Sequence, residues 1–415
     1  MNPIVYAIPV FMLSILVEAW FAYRKRLPSY DVADAITSLH FGVLSQVAGA
    51  FTKTLTLGLY VLVYERYRAL ELPTDSLWVW LLAVVLYDFL YYWVHRFGHE
   101  VNLMWAAHQV HHSSEYFNLT TALRQTSTGA LFGWPFYLVM AVIGVPPLVF
   151  AVAGLIDLLY QYWVHTELIG KLGWIDRVLV TPSNHRVHHG QNDYCIDKNY
   201  GGIFIIWDRL FGSFVDERDD EKVVYGVRKP LASYNPLWGN LNVYRDIWQS
   251  MRAAVGWRGK LAAVFAPPGG WNEPVPHLDT RDCRRFARPS SAGLRGYAIL
   301  QYGVMVIYAT HFIAVAPELN LAMRAFYAGL ILLAAVSLGG VLEGSALARR
   351  VEPVRLVLFA ALFLLMPDWF GWLAPVVAKV AVLALALISL LWLLRTLQQQ
   401  SRASANANPA EISGS

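Results

Sequence analysis

Long apolar stretches alternate with short polar ones along most of the chain. Ile4 to Tyr23, Gly42 to Tyr64, Leu77 to Val94, Tyr297 to Val315, Met323 to Val341 and Trp372 to Leu394 carry little or no charge. Each approaches the roughly 20 residues that a helix needs to cross a hydrocarbon core. Leu131 to Gly144 and Leu148 to Val164 are shorter, and Pro146 and Pro147 between them cannot continue the preceding helix. This pair reads as a helical hairpin, spanning or re-entrant. Pro353 to Met366, extended by its flanks, brings the count to about nine helices. The pattern predicts an all-α integral membrane protein with many passes.

Composition agrees, since 56% of the residues are hydrophobic and only 15% are charged, outside the range of ordinary soluble domains. The first apolar run has no basic segment before it and is followed by YRKR instead of a small-residue cleavage site, so it reads as a membrane helix and not a secretory signal. Arg24, Lys25 and Arg26, the basic-rich stretch from Lys171 to Arg295, and Arg349, Arg350 and Arg355 in a later loop are expected to share the cytoplasmic side. Nine helices with the N-terminus outside satisfy all three groups, while Arg66 and Arg68 fall on the opposite side.

Four regions follow: N-terminal membrane helices over 1–165, a polar cytoplasmic insert over 166–295, C-terminal membrane helices over 296–396, and a Ser, Ala and Asn rich tail over 397–415 expected to be disordered. Within the insert, YGGIFIIWDRLFGSF suits a segment lying against the membrane surface, and RFARPSSAGLRGY suits a linker. Cys195 and Cys283 are too few for a disulfide framework or a thiolate metal cage and read as reduced thiols. The net charge of +4 fits contact with anionic lipid headgroups, and no basic aromatic groove suggests a nucleic acid partner.

The chemistry is concentrated in one place. Nine of the twelve histidines lie between positions 95 and 189, in HRFGHE, HQVHH, YWVHTE and HRVHHG. His95 and His99 stand one helical turn apart on one face; His108 with His111 and His112, and His185 with His188 and His189, repeat that spacing, so each string can turn at least two imidazoles toward one ion. With His165 the set exceeds the three or four ligands of a single zinc site and points to two metals. Neutral imidazole suits iron, zinc, copper and nickel alike. His40, His277 and His311 have no such company and read as ordinary hydrogen-bonded residues.

YWVH occurs twice, ending at His95 and His165, each time with an aspartate upstream. Asp88 and Asp157 lie inside apolar runs, where an ionised carboxylate is costly, and each can either orient a ligand imidazole through its second N–H or join two helices. The two copies suggest half-sites of similar design that face one another and hold a metal pair between them. Glu100, Glu115 and Glu167 sit within three residues of a box histidine and are candidates for ligands, for cofactor or substrate contacts, or for plain helix-end charges. Tyr91, Tyr92, Trp93, Tyr160, Tyr162 and Trp163 would line the mouth of the site or anchor the helices at the interface.

The strings HRFGH, HQVHH and HRVHH around membrane helices resemble those of the fatty acid hydroxylase and sterol desaturase superfamily. HEVNLMWAAHQVHHSSEYFNLTTALRQ and TPSNHRVHHGQNDYCIDKNYGGIFIIWDRLFGSF are most similar to its alkylglycerol-oxidising branch. The resemblance implies a di-iron enzyme that uses O2 and tetrahydrobiopterin to hydroxylate the ether-bearing carbon of an alkylglycerol lipid, releasing a fatty aldehyde. It implies His95, His99, His108, His111, His112, His185, His188 and His189 as iron ligands, with His165 as a ninth, and a role for Glu100 in pterin-dependent catalysis. Competing readings are a fatty acid or sterol-type hydroxylase or desaturase with another electron donor, a histidine-rich metal transporter, and a non-enzymatic scaffold or lipid sensor. Against transport, no ladder of polar residues crosses the membrane.

Overall fold

The computed structural model describes residues 3–270, 276–288 and 290–406. Among them the chain is helical, with isolated bridges and no strand. Six helices are long and apolar enough to cross a membrane: α1 (Pro3–Arg24), α2 (Val32–Tyr67), α3 (Leu77–Glu100), α13 (Ala292–Val315), α14 (Leu321–Glu343) and α16 (Val376–Asn406). The chain is therefore a multi-pass membrane protein. Between α3 and α13 lie the short α4 (Asn102–Ala106), α5 (Gln109–His112) and α6 (Leu119–Ala122), the pair α7 (Ala130–Ile143) and α8 (Pro147–Trp163), then α9 (Pro182–His188), α10 (Ile206–Leu210), α11 (Pro236–Ala253) and α12 (Gly256–Phe265). α15 (Ala346–Leu365) separates α14 from α16.

The chain divides into two compact units. In the larger, Tyr6–Ala232 with Leu237–Phe286, α2 packs on α7, and α3 packs on α7 and α8. Between hydrocarbon-facing helices the solvent gives no hydrophobic drive, so close approach over small residues does the work. Ala83, Ala141 and Ala153 fill that role in a core shared with Tyr60, Val79, Leu90, Met140, Val145 and Val149. The Tyr60 hydroxyl donates to the Val145 carbonyl at 2.8 Å, tying α2 to the hairpin turn.

The hairpin turns where its sequence suggests. Gly144 closes α7 at φ +109°, with the Leu70 carbonyl oxygen only 2.0 Å from where a Cβ would stand, so no other residue fits. Pro147 then opens α8. With 14 and 17 residues the two helices reach about 21 and 26 Å, short of the roughly 30 Å of a hydrocarbon core. α2 departs from its sequence reading in the other direction. It begins at Val32, ten positions before the apolar run, because Asp31 caps it by accepting from Ala33 N and Asp34 N. Its first three turns bury Asp34, Ser38 and His40 in the protein.

The smaller unit comprises Met1–Val5, Ser233–Pro236 and Ala287–Ser415. There α13 packs on α14 and α16, and α15 on α14 and α16. Arg349, Arg350 and Arg355, read from the sequence as loop cations, all lie within α15, and Arg355 is buried there, where it pairs with Glu352 at 2.6 Å and donates to Gln301 at 2.7 Å. Glu352 also accepts from the Tyr297 hydroxyl, and Gln301 donates to Ser389. The i, i+3 spacing of Glu352 and Arg355 neutralises both charges before the helix enters the apolar layer, and Pro353 is accommodated within it. α16 starts at Val376, after Gly371 and Pro375, and not at Trp372. It continues to Asn406, through part of the tail expected to be disordered, because Leu397, Gln398 and Ala403 favour extension of an existing helix. Positions 407–415 of that tail lie outside the described residues.

Candidate metal centre

The nine box histidines sit on helix ends and short helices of the larger unit. α3 ends with His95 and His99; His108 precedes α5, which carries His111 and His112; His165 follows α8; α9 carries His185 and His188, and His189 closes it. α9 starts where it does because Pro182 occupies its first position and Thr181 and Asn184 form a capping box.

The rings gather in two groups. His95, His99, His108, His112 and His188 each bring one ring nitrogen within 4.8 Å of the others, and His111, His165, His185 and His189 do the same. The two YWVH half-sites are therefore interlaced. The first contributes His111 to the second group, and the second contributes His188 to the first. In each HxxHH string the i, i+4 pair serves one group, and the middle histidine, about 60° from one member of the pair and about 100° from the other round a helix, serves the other.

Hydrogen bonds fix the rings from behind. His95 Nδ1 contacts the Tyr200 carbonyl at 2.8 Å, His188 Nδ1 the Lys198 carbonyl at 2.9 Å, His111 Nδ1 the Arg124 carbonyl at 3.0 Å and His165 Nδ1 the Gln161 carbonyl at 2.8 Å. A carbonyl only accepts, so each of these Nδ1 atoms holds the proton and leaves Nε2 as a bare lone pair. Burial pushes His108, His112, His165, His185, His188 and His189 well below the ordinary imidazole range and His111 to about 4. These rings are neutral at pH 7.

His111 and His165 thus direct two unprotonated Nε2 atoms at each other across 3.3 Å. Two facing lone pairs in a buried site repel unless a cation lies between them. Ligands about 2.1 Å from a metal stand about 3.0 to 3.4 Å apart in octahedral or tetrahedral geometry, which matches this spacing. It also matches the Nε2 separations of 3.0 Å for His95 and His108, 3.0 Å for His108 and His112, 3.0 Å for His165 and His185, and 3.2 Å for His185 and His189. The buried Nε2 atoms of His99 and His188 have no hydrogen-bond partner. Each group can hold a metal ion.

One loop supplies most of the support for the first group. Lys198 and Tyr200 lend their carbonyls, and Asp197 Oδ1 lies 3.5 Å from His99 Nδ1. Asp197 and Asn199 hold φ near +56° and +57°, the left-handed region that Asp and Asn enter more readily than other non-glycine residues. The Asn199 side chain, fully buried, fixes the loop by donating to the carbonyls of Asn184 and Val215 and accepting from Val215 N. Asp208 accepts from Tyr200 N, Gly201 N and Ser213 Oγ.

Asp88 and Asp157 do not touch the imidazoles. Asp88 shares a face with His95, but seven residues place it about 10 Å along the helix, beyond reach. It accepts instead from Ile203 N, Phe204 N and Trp207 Nε1, so it anchors the loop that presents the Tyr200 carbonyl. Asp157 accepts from the Gln161 side chain at 2.7 Å. Both carboxyl groups close over Gly202, where a Cβ would stand 2.7 Å from an oxygen of each.

The remaining candidates are placed as follows. Glu100 pairs with Arg96 at 2.9 Å and joins neither group. Glu115 accepts from Phe286 N, and Glu167 from the Tyr225 hydroxyl at 3.2 Å. Tyr91 donates to Gln161, Tyr92 bonds Ser213, Tyr160 donates to the Val180 carbonyl and Tyr162 bonds Ser14, while Trp93 packs against Phe97 and Phe211 and Trp163 against Tyr160. His40 lies buried in α2, His277 bonds Asp193, and His311 bonds the Tyr327 hydroxyl at 3.1 Å; none is in either group. Sequence reasoning missed Arg124, whose buried guanidinium donates to the Val110 carbonyl, Ser38 and Ser113 while its own carbonyl receives His111. It also missed Phe117, stacked between His165 and Tyr225.

Membrane helices carrying buried clusters of neutral imidazoles able to bind metal define a membrane enzyme of the histidine-box type, and the fatty acid hydroxylase family model matches residues 80–213. Alkylglycerol monooxygenase of Homo sapiens is 39% identical over 378 residues, covering 89% of this chain and 82% of the relative. The Xenopus tropicalis and Danio rerio proteins of that name are 37% and 38% identical and cover 94% and 95% of this chain, with 88% and 89% of the relatives. The chain belongs to the alkylglycerol monooxygenase family, and it is an oxidoreductase, a monooxygenase of lipid metabolism. No solved structure matches it.

Proposed function

We propose that this protein hydroxylates the ether-linked carbon of alkylglycerol lipids, using O2, two iron ions and tetrahydrobiopterin. The observation that carries the reading is the pair of interlaced all-histidine groups with Nε2 lone pairs aimed inward. His95, His99, His108, His112 and His188 would hold one iron, and His111, His165, His185 and His189 the other. Bound iron supplies the oxygen activation that no side chain can perform. The chain itself orients the ligands through the carbonyls of Tyr200, Lys198, Arg124 and Gln161 and keeps the rings neutral by burial. Glu100, next to His99 and partly exposed, is assigned to the pterin side of the chemistry.

In the overall reaction one oxygen atom enters the C–H bond beside the ether oxygen, and the other leaves as water with two electrons from the pterin. The hemiacetal so formed separates into a fatty aldehyde and the glycerol alcohol. The same reading threads the chain nine times through the membrane with the N-terminus outside and the histidine boxes on the cytoplasmic side. Arg24, Lys25, Arg26, Arg349 and Arg350 support that orientation, which is the same if the hairpin of α7 and α8 re-enters and leaves seven passes.

The test supplies purified protein with an alkylglycerol, O2 and either tetrahydrobiopterin or a reduced redox protein. Fatty aldehyde formed with the pterin alone supports the assignment. Aldehyde formed only with the redox protein replaces the cofactor and leaves the oxygenase class standing. Oxidation of free fatty acid or sterol instead of the ether lipid replaces the substrate.

A further inference from the structure

Away from the histidine groups, α11 and α12 carry an exposed outward face. On α11, Leu237, Leu241, Arg245, Trp248 and Arg252 are all exposed and fall within a sector of about 80°. On α12, Trp257, Leu261 and Phe265 form a second exposed stripe of similar width, with Arg258 and Lys260 on its two flanks. Val255 joins the stripes and is 95% exposed, Trp257 is 67% and Trp248 59%. Arg245 lies over the Trp238 ring and Arg258 over Trp257, at 4.4 and 5.5 Å.

The neighbouring faces of both helices are held in place. Asn240 accepts from Ser127 N at 2.9 Å and Tyr244 bonds Thr128 at 2.8 Å, while Asn102 donates to the carbonyls of Ala263 and Ala266, both at 2.9 Å. The exposed stripes are thus a fixed surface of the protein.

We infer that α11 and α12 lie in the headgroup layer of an anionic bilayer, with the apolar stripes in the acyl boundary and the cations at the phosphates. An amphipathic helix with tryptophan and leucine on one side and arginine or lysine along its edges has that chemistry. Four cations face a single carboxylate on these helices, Asp246, which is already paired with Lys229 and Arg245. The same charge argues against a second copy of the chain as the occupant, since a two-fold contact would press the four cations against their own images.

The test uses the full chain in nanodiscs. Cys283→Ser leaves Cys195 as the remaining thiol, and Cys195 is buried, with its thiol pushed up to about 12 by that burial, so it stays unlabelled. Nitroxides are placed at Trp257→Cys and, separately, at Leu261→Cys, with Asp220→Cys as an aqueous reference. In discs containing phosphatidylglycerol both stripe labels meet dissolved oxygen and are shielded from an aqueous nickel chelate. Arg258→Gln with Lys260→Gln lowers the ratio of shielded to chelate-accessible label by about thirtyfold. Labels at 257 and 261 as open to the chelate as the label at 220 overturn the inference. Shielding that appears only when two protein copies share a disc overturns it also, in favour of self-association.

Discussion

The rings of His112 and His189 stack at 4.4 Å with a tilt of 20°, although the two belong to different groups and lie on segments 77 positions apart in the chain. Together with the exchange of His111 and His188, this contact makes the two groups one structure. A change in either half-site is felt in both.

The groups differ in redundancy, and this predicts unequal sensitivity to ligand loss. His111→Ala leaves three imidazoles in its group, whereas His108→Ala leaves four in the other. His111→Ala is therefore expected to lower bound iron more than His108→Ala, and His311→Ala to leave it unchanged. Iron per chain by elemental analysis measures this; equal iron in all three variants would refute the assignment of ligands.

Asn199 holds the loop that orients His95 and His188. Asn199→Ala removes three side-chain hydrogen bonds and takes their partner from the Asn184 and Val215 carbonyls and from Val215 N, a loss of ~3 kcal/mol. The expected result is a lower thermal midpoint and weaker iron binding, with Asn199→Asp intermediate because it keeps the acceptor for Val215 N. A normal midpoint in the alanine variant would mean that the loop is held by other contacts.

Gly202 passes beneath two carboxyl groups. Gly202→Ala puts a methyl group 2.7 Å from an oxygen of Asp88 and of Asp157, so one carboxyl must leave its partners, at a cost of roughly 1–3 kcal/mol. Thermal denaturation should register it. Gly170→Ala, with nothing within 4 Å of the added atom, is the matched control and should be neutral.

Acid should destabilise the metal-free protein. His111 is neutral when folded down to about 4, whereas an unfolded imidazole takes a proton near 6.5. Between these values the unfolded state binds more protons, so stability is complete above about 6.5 and falls as the pH drops toward 4. The other buried box histidines, shifted in the same direction by the same burial, add to that loss. A thermal midpoint flat from pH 7 to pH 5 contradicts this.

The i, i+3 and i+4 spacing of the boxes is local information, so the nine histidines could be found in the sequence before any fold was known. Their partition could not, because which group His111 or His188 enters depends on how α5, α8 and α9 pack. The groups that steady the rings are backbone carbonyls, and a carbonyl leaves no trace in the residue type that carries it. Asp88 was visible as a buried carboxylate, but seven residues of helix rise kept it from the imidazole, and only the folded loop reveals Ile203 and Phe204 as its partners. Arg124 sits in a polar stretch where an arginine attracts no notice. Among the membrane helices, apolar length located the six long ones, whereas the Glu352 and Arg355 pair hid a charge inside α15.

The measurement closest to the central claim follows the oxygen. Purified protein is supplied with an alkylglycerol, tetrahydrobiopterin and isotopically labelled O2, and the aldehyde is trapped by borohydride as it forms. Hydroxylation of the ether carbon places the label in the resulting fatty alcohol and none in the glycerol, and His111→Ala and His188→Ala abolish it. Label absent from the fatty alcohol, or label incorporated equally without the pterin, would contradict the account.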